Sequence, residues 1–186
     1  MRAFSPSQLR VSSRHKASDS VLFENEWLQL KDKQGYIYSH EVRCNGKIVV
    51  ILPYRRIGKD AWEFLVRDET TPCWADTPTR SAMTGGIEAE DPREDAVREL
   101  QEEAGFTATV DQMQPLGRCR ASKSADTYYY LYAIDLADME PGEAPGDGSK
   151  NDAAPAVWIS AEELTELEDA QAITTYAKAR QQLGIY

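Results

Sequence analysis

The sequence is short of positive charge, of histidine and of paired cysteines, and each shortage closes a class of function. Its 186 residues carry 21 Lys and Arg against 31 Asp and Glu, a formal charge of −10. An extended nucleic-acid surface needs clustered cations, so the balance argues against a nucleic-acid partner. Only His15 and His40 are present, and Cys44, Cys73 and Cys119 are odd in number with no CxxC pair. They make neither a zinc ligand set nor a disulfide framework, and free thiols in a reducing cytoplasm are the expectation. No apolar run approaches the roughly 20 residues of a membrane-spanning helix, so no membrane partner is expected. A protein this negative that handles phosphates needs cations as intermediaries.

What is present is a globular composition, 41% hydrophobic with four Trp, nine Tyr and four Phe. The length suits one domain. Residues 1–20 differ from the rest, with six serines and four basic residues against one acid, and read as a mobile leader or docking arm. Strand spacing follows at 26–31, 36–44, 47–55 and 61–68. Asn45-Gly46 between the second and third is a two-residue hairpin signal, since both positions tolerate positive φ. The Pro/Thr-rich stretch 69–84 reads as a loop leading to Gly85-Gly86. A helix is then expected, capped by Asp91, with Pro92 in its first turn and Gly105 as a left-handed stop. Strands at 115–122, 127–136 and 156–160 follow, the last two separated by a Gly/Pro/acid loop at 137–155. Ser160 and Glu163 form a capping box that opens a helical region to about Leu183. This order predicts a mixed α/β sandwich for residues 21–186 as a single domain.

The segment GGIEAEDPREDAVRELQEEAGF (85–106) holds eight carboxylates and two arginines. On a helical wheel Asp95, Glu99, Glu102 and Glu103 share one face, while Ala96, Val97, Leu100 and Ala104 lie toward the core. Like charges at these spacings repel, and Glu102 and Glu103 sit where the helix dipole disfavours anions. A hard divalent cation such as Mg²⁺ reverses that sign, because it is commonly shared between carboxylates and substrate phosphates. A solvated acidic face is the plainer reading, and spacing alone leaves both open.

From Glu90 onward the segment resembles the Nudix box, G-x5-E-x7-R-E-U-x-E-E-x-G-U, through Arg98-Glu99-Leu100, Glu102-Glu103, Gly105 and Phe106. One position departs. Thr84 stands where the box has its glycine, and Gly85-Gly86 come closer to Glu90, as in a shortened loop. The resemblance implies a Nudix-type α/β/α sandwich with a mixed sheet and a loop–helix–loop catalytic motif. It implies Mg²⁺-dependent hydrolysis, with Mn²⁺ as a substitute, of nucleoside diphosphates linked to another group. In this pattern Glu99, Glu102 and Glu103 bind metal, the Gly86 carbonyl is a further metal ligand, and Arg98 pairs with Glu90 to hold the loop. The general base comes from the box or from the loop at 137–155, with Glu143 the first choice ahead of Glu140, Asp147 and Asp152. Arg55, Arg56 and Arg67, near strand ends, are candidates for the substrate's phosphates, and Trp74 for stacking its base.

The region around "ENEWLQL" and "VVILPYRR" is similar to the N-terminal part of ADP-sugar hydrolases. That likeness implies ADP-ribose or a nucleotide sugar as substrate and a homodimer to which residues 21–56 contribute. A nucleoside triphosphate pyrophosphatase and a catalytically silent nucleotide-binding module are the alternatives.

Overall fold

Backbone hydrogen bonding divides the strands between two sheets, and the chain between two compact units. The computed structural model describes residues 19–146, 148 and 154–185. One unit runs to Gly46 and includes Arg120–Thr127; the other holds Lys47–Cys119 and Tyr128–Tyr186.

In the first unit, β1 (Ser20–Glu24), β2 (Leu28–Lys33) and β3 (Tyr36–Glu41) form an antiparallel sheet in that order. β1 was not anticipated from the sequence. Gln34 and Gly35 turn the chain from β2 to β3 with φ of 57° and 87°, and the Asp32 side chain accepts from the Gly35 N–H at 2.6 Å. Asn45 and Gly46 do adopt positive φ, 50° and 66°, yet they do not make the expected hairpin. The Gly46 N–H returns to the Glu41 carbonyl at 2.9 Å, closing a local turn, and Ser39 bonds instead to the 120–127 segment. Two left-handed residues permit a hairpin; they do not choose the partner strand.

In the second unit a mixed sheet has the order β10-β5-β4-β9-β8, with β6 added to β5 and β7 to β4. These strands are β4 (Lys47–Arg56), β5 (Trp62–Glu69), β6 (Thr79–Ser81), β7 (Met83–Gly86), β8 (Gln114–Arg120), β9 (Tyr128–Asp135) and β10 (Ala156–Ser160). β4 runs parallel to β9 and antiparallel to β5 and β7. The stretch expected to be loop thus contains β6 and the start of β7. Three- and four-residue strands of Thr, Ser and Gly show no apolar alternation, so only their pairing with β5 and β4 reveals them.

The sheet's period of two sends alternate residues to opposite faces. Val50, Leu52, Tyr54, Phe64 and Val66 pack with Ala172, Tyr176 and Ala179 of α3 (Ala170–Leu183). Val49, Ile51, Leu65 and Met83 pack with Ala96, Leu100 and Ala104 of α1 (Pro92–Ala104). Helices on both faces make the α/β/α sandwich. Burial of Leu100 alone contributes roughly 1.5–3 kcal/mol. α1 starts and stops as the sequence dictates: the Asp91 side chain accepts from the Arg93 N–H, and Gly105 closes the helix with φ 75°. The C-terminal helical region is broken, unlike the expectation. α2 (Ala161–Thr165) opens on the Ser160–Glu163 capping box, and α3 starts afresh at Asp169. Asp169 is 2% exposed, and its carboxylate accepts from both the Gln171 and Ala82 N–H groups at 2.8 Å. A buried carboxylate needs such donors, and a continuous helix could not supply them.

Candidate active site

The anionic face of α1 is turned inward. Asp95 and Glu99 are only 3% and 6% exposed, which is costly for charges unless they are paired. Asp95 receives the Glu88 and Ala89 N–H groups at 3.2 and 3.0 Å, tying the preceding loop to the first turn of the helix. Glu99 lies against β7 so closely that a Cβ on Gly85 would stand 1.9 Å from its Oε1. A glycine there is what allows the carboxylate to reach the strand backbone.

Two arginines counter the helix's charge. Arg98 contacts Glu99 Oε1 and Glu102 Oε2 at 2.8 Å each, and Asp95 Oδ1 at 3.3 Å. It does not pair with Glu90, as the box pattern led us to expect. Residues three and four apart share its helix face, whereas Glu90 is exposed in the bend before the helix. Asp95, rather than Arg98 with Glu90, secures the loop. Arg67 of β5 contacts Glu103 Oε1 at 2.9 Å. Burial pushes the Glu103 carboxyl up to about 8; Arg67 opposes that rise, and Glu99 and Glu69 add to it. The other Glu103 oxygen, Oε2, is buried without a hydrogen bond, a condition that costs about 1–3 kcal/mol until a cation or proton meets it.

Hard oxygen donors on Glu99, Glu102 and Glu103, one of them lacking a partner, suit a divalent cation such as Mg²⁺. Among the described residues no group of three or more His, Cys, Asp or Glu is arranged to hold a metal ion. Glu69, held by the Ser81 hydroxyl at 2.8 Å, adds to the same negative field. It was missed from the sequence because its strand offers no charge motif.

The remaining expected residues fall in several places. The loop at 137–155 does reach α1: the Gly142 N–H donates to the Gly105 carbonyl at 2.8 Å and the Gly146 N–H to the Glu102 carbonyl at 3.1 Å. Glu143 is therefore exposed beside the C-terminal end of the acidic helix. Asp147 and Asp152 lie outside the described residues. Arg55 is engaged by Glu63 through its Nε and Nη2 at 2.8 and 2.6 Å and stacks over Trp158 at 4.0 Å. Arg56 bonds the Gly58 and Lys59 carbonyls. Trp74, 52% exposed, lines a cavity of about 460 Å³ with Thr79, Arg80 and the turn Glu166–Asp169. None of the box carboxylates lines that cavity. Of the four residues expected to meet substrate, Arg67 alone contacts the box glutamates.

The NUDIX domain family model matches residues 45–179, which include α1, the mixed sheet and most of α3. A solved structure described as an ADP compounds hydrolase is similar, with a TM-score of 0.65 and 19% identity over 93% of this chain and 97% of that one. At this identity the likeness is one of fold. No curated protein matches. With the family model spanning well over half the residues and the box glutamates carried on α1, the chain belongs to the Nudix family of pyrophosphohydrolases.

Proposed function

We propose that this chain hydrolyses the pyrophosphate bond of a nucleoside diphosphate joined to another group, in a Mg²⁺-dependent reaction that Mn²⁺ also supports. ADP-ribose or a related nucleotide sugar is the lead substrate. One observation carries the reading: at the end of α1 Glu99 is buried against β7 and Glu103 is paired with Arg67 of β5, with Glu102 tied to Glu99 through Arg98. The name of the structural neighbour, an ADP compounds hydrolase, supports the substrate class.

Glu99, Glu102 and Glu103 would hold the metal, with the Gly86 carbonyl as a further ligand implied by the box. Bound there, a divalent ion supplies charge neutralisation at the phosphoryl oxygens and lowers the pKa of a coordinated water. The chain's own residues prepare that site. Asp95 fixes the loop before the helix, Gly85 admits the Glu99 carboxylate, and Arg98 pairs with both Glu99 and Glu102. Glu143, on the loop bonded to the helix end, would accept the proton of the attacking water. In the first unit, all five residues of β1 are exposed, Val21, Leu22 and Phe23 among them. A second copy of the chain covering that sheet is the partner we propose for it.

The test is a Mg²⁺-dependent screen of ADP-ribose, nucleotide sugars, dinucleoside polyphosphates and nucleoside triphosphates, with product analysis. AMP plus a sugar phosphate is expected. Glu103→Gln should cost ~100-fold or more in kcat, the upper range for residues that merely support a metal site. Release of pyrophosphate from triphosphates alone would overturn the substrate class. Tight nucleotide binding with no turnover of any diphosphate-linked compound would indicate a silent module.

A further inference from the structure

Arg67 has the residue type of a phosphate binder and the surroundings of something else. It lies within β5, opposite Ala156 of β10 on one side and Ser81 of β6 on the other. Only 4% of it is exposed. Its guanidinium holds Glu103 Oε1 through Nη1 at 2.9 Å and the Ala154 carbonyl through Nη2 at 3.4 Å. A group so enclosed is poorly placed to capture a phosphate from solution.

Glu103 has reason to need a tether. The terminal torsion of a glutamate is broad, so a carboxyl group by itself has no fixed heading. Two further carboxylates, Glu99 and Glu69, repel it, and its position at the end of α1 sets the helix dipole against it. Each of these disfavours the charged carboxylate where it stands. Among the described residues Arg67 is the cation paired with it, at Oε1, while Oε2 is buried without a hydrogen bond.

We infer that Arg67 is a positioning residue: by taking Oε1 of Glu103 it presents Oε2 to the divalent cation. This rests on the proposed role of Glu103 in holding the metal. It separates Arg67 from Arg55 and Arg56, with which its sequence position groups it. A rigid two-point fork does this better than an ammonium, which keeps the charge and loses the second anchor.

The experiment measures Mn²⁺ affinity by electron paramagnetic resonance, alongside kcat and KM, for Arg67→Met, Arg67→Lys, Glu103→Gln and the Arg67→Met/Glu103→Gln pair. Arg67→Met should weaken Mn²⁺ binding by about 10–100-fold. It should lower kcat while KM for the nucleotide stays near the wild-type value. In the Glu103→Gln background it should do little more, because the group it acts through is gone. Arg67→Lys should recover part of the Mn²⁺ affinity, and it keeps the test usable if the methionine variant folds poorly. Folded Arg67 variants with wild-type Mn²⁺ affinity, or with a raised KM and an unchanged kcat, would overturn the inference in favour of direct substrate contact. If Glu103→Gln itself left Mn²⁺ affinity intact, the metal-binding reading would fail and take this one with it.

Discussion

In the first unit the side chains left in water include many that are apolar; in the second, several of those taken out of it are charged. Val21, Phe23, Tyr36 and Ile37 of the three-stranded sheet and Trp27 in its first turn are each more than 40% exposed, while Arg67, Asp95, Glu99 and Asp169 of the mixed sheet and its helices are nearly inaccessible. Neither arrangement serves the stability of an isolated unit. An exposed apolar sheet gains by meeting another surface, and buried carboxylates gain by meeting a cation. The two proposed readings answer this contrast, a second copy of the chain for the first unit and a metal with its phosphates for the second. Departures from ordinary patterning concentrate where a protein has something to bind.

The comparison breaks most visibly at Gly85. In Gly85→Ala the new Cβ meets the Glu99 carboxylate, 1.9 Å from Oε1. The colliding group is the end of a side chain, so the fold should survive while Glu99 is displaced. Turnover and Mn²⁺ affinity should fall by ~100-fold, near the limit for residues that orient metal ligands; an alanine variant with full activity would show that Glu99 is not held there.

In the first unit, Phe23→Lys and Ile37→Lys should shift the protein from two copies to one in light scattering with an unchanged circular dichroism spectrum. Each apolar side chain covered contributes roughly 1.5–3 kcal/mol, or about tenfold or more in Kd. A wild-type protein that stays monomeric at every concentration would remove the surface requirement.

The third prediction concerns pH. Glu103 titrates near 8 in the fold against 4.5 when free, raised mainly by burial. Between those values the folded chain holds a proton that the unfolded chain has released. Its contribution is complete below about pH 4.5 and is lost as pH rises to 8, by at most about 1.4 kcal/mol per pH unit. In chelator, the urea midpoint of the wild type should therefore fall with pH more steeply than that of Glu103→Gln. Parallel curves would show that Glu103 is not buried as a charge-averse group. The smallest effect belongs to an exposed pair of the first unit. Arg43 and Glu41 are 2.9 Å apart at the surface, and Glu41→Gln should change stability by no more than about 0.5 kcal/mol.

Much of the second unit was legible from local signals. Asp91, Pro92 and Gly105 bound α1, Ser160 and Glu163 open α2, and the box from Glu90 to Phe106 identifies the acidic face. Each involves neighbours within a turn or two of chain, where steric and capping rules act without reference to the rest of the fold. Two local signals were misread, the first because strand pairing joins residues far apart. Asn45-Gly46 gave a hairpin signal, and strand pairing went elsewhere. Arg98 was matched to Glu90 by pattern, but the shared helix face joins it to Asp95 and Glu102.

By itself the sequence determined the family, the helix and the three glutamates, because a motif and its caps are encoded in consecutive residues. Only the tertiary structure decided that this acidic face points inward, that Gly85 makes room for Glu99 and that Arg67 belongs to Glu103. Those contacts join β5, β7 and α1. A charge's environment is set by what the fold packs against it, not by its neighbours in the chain.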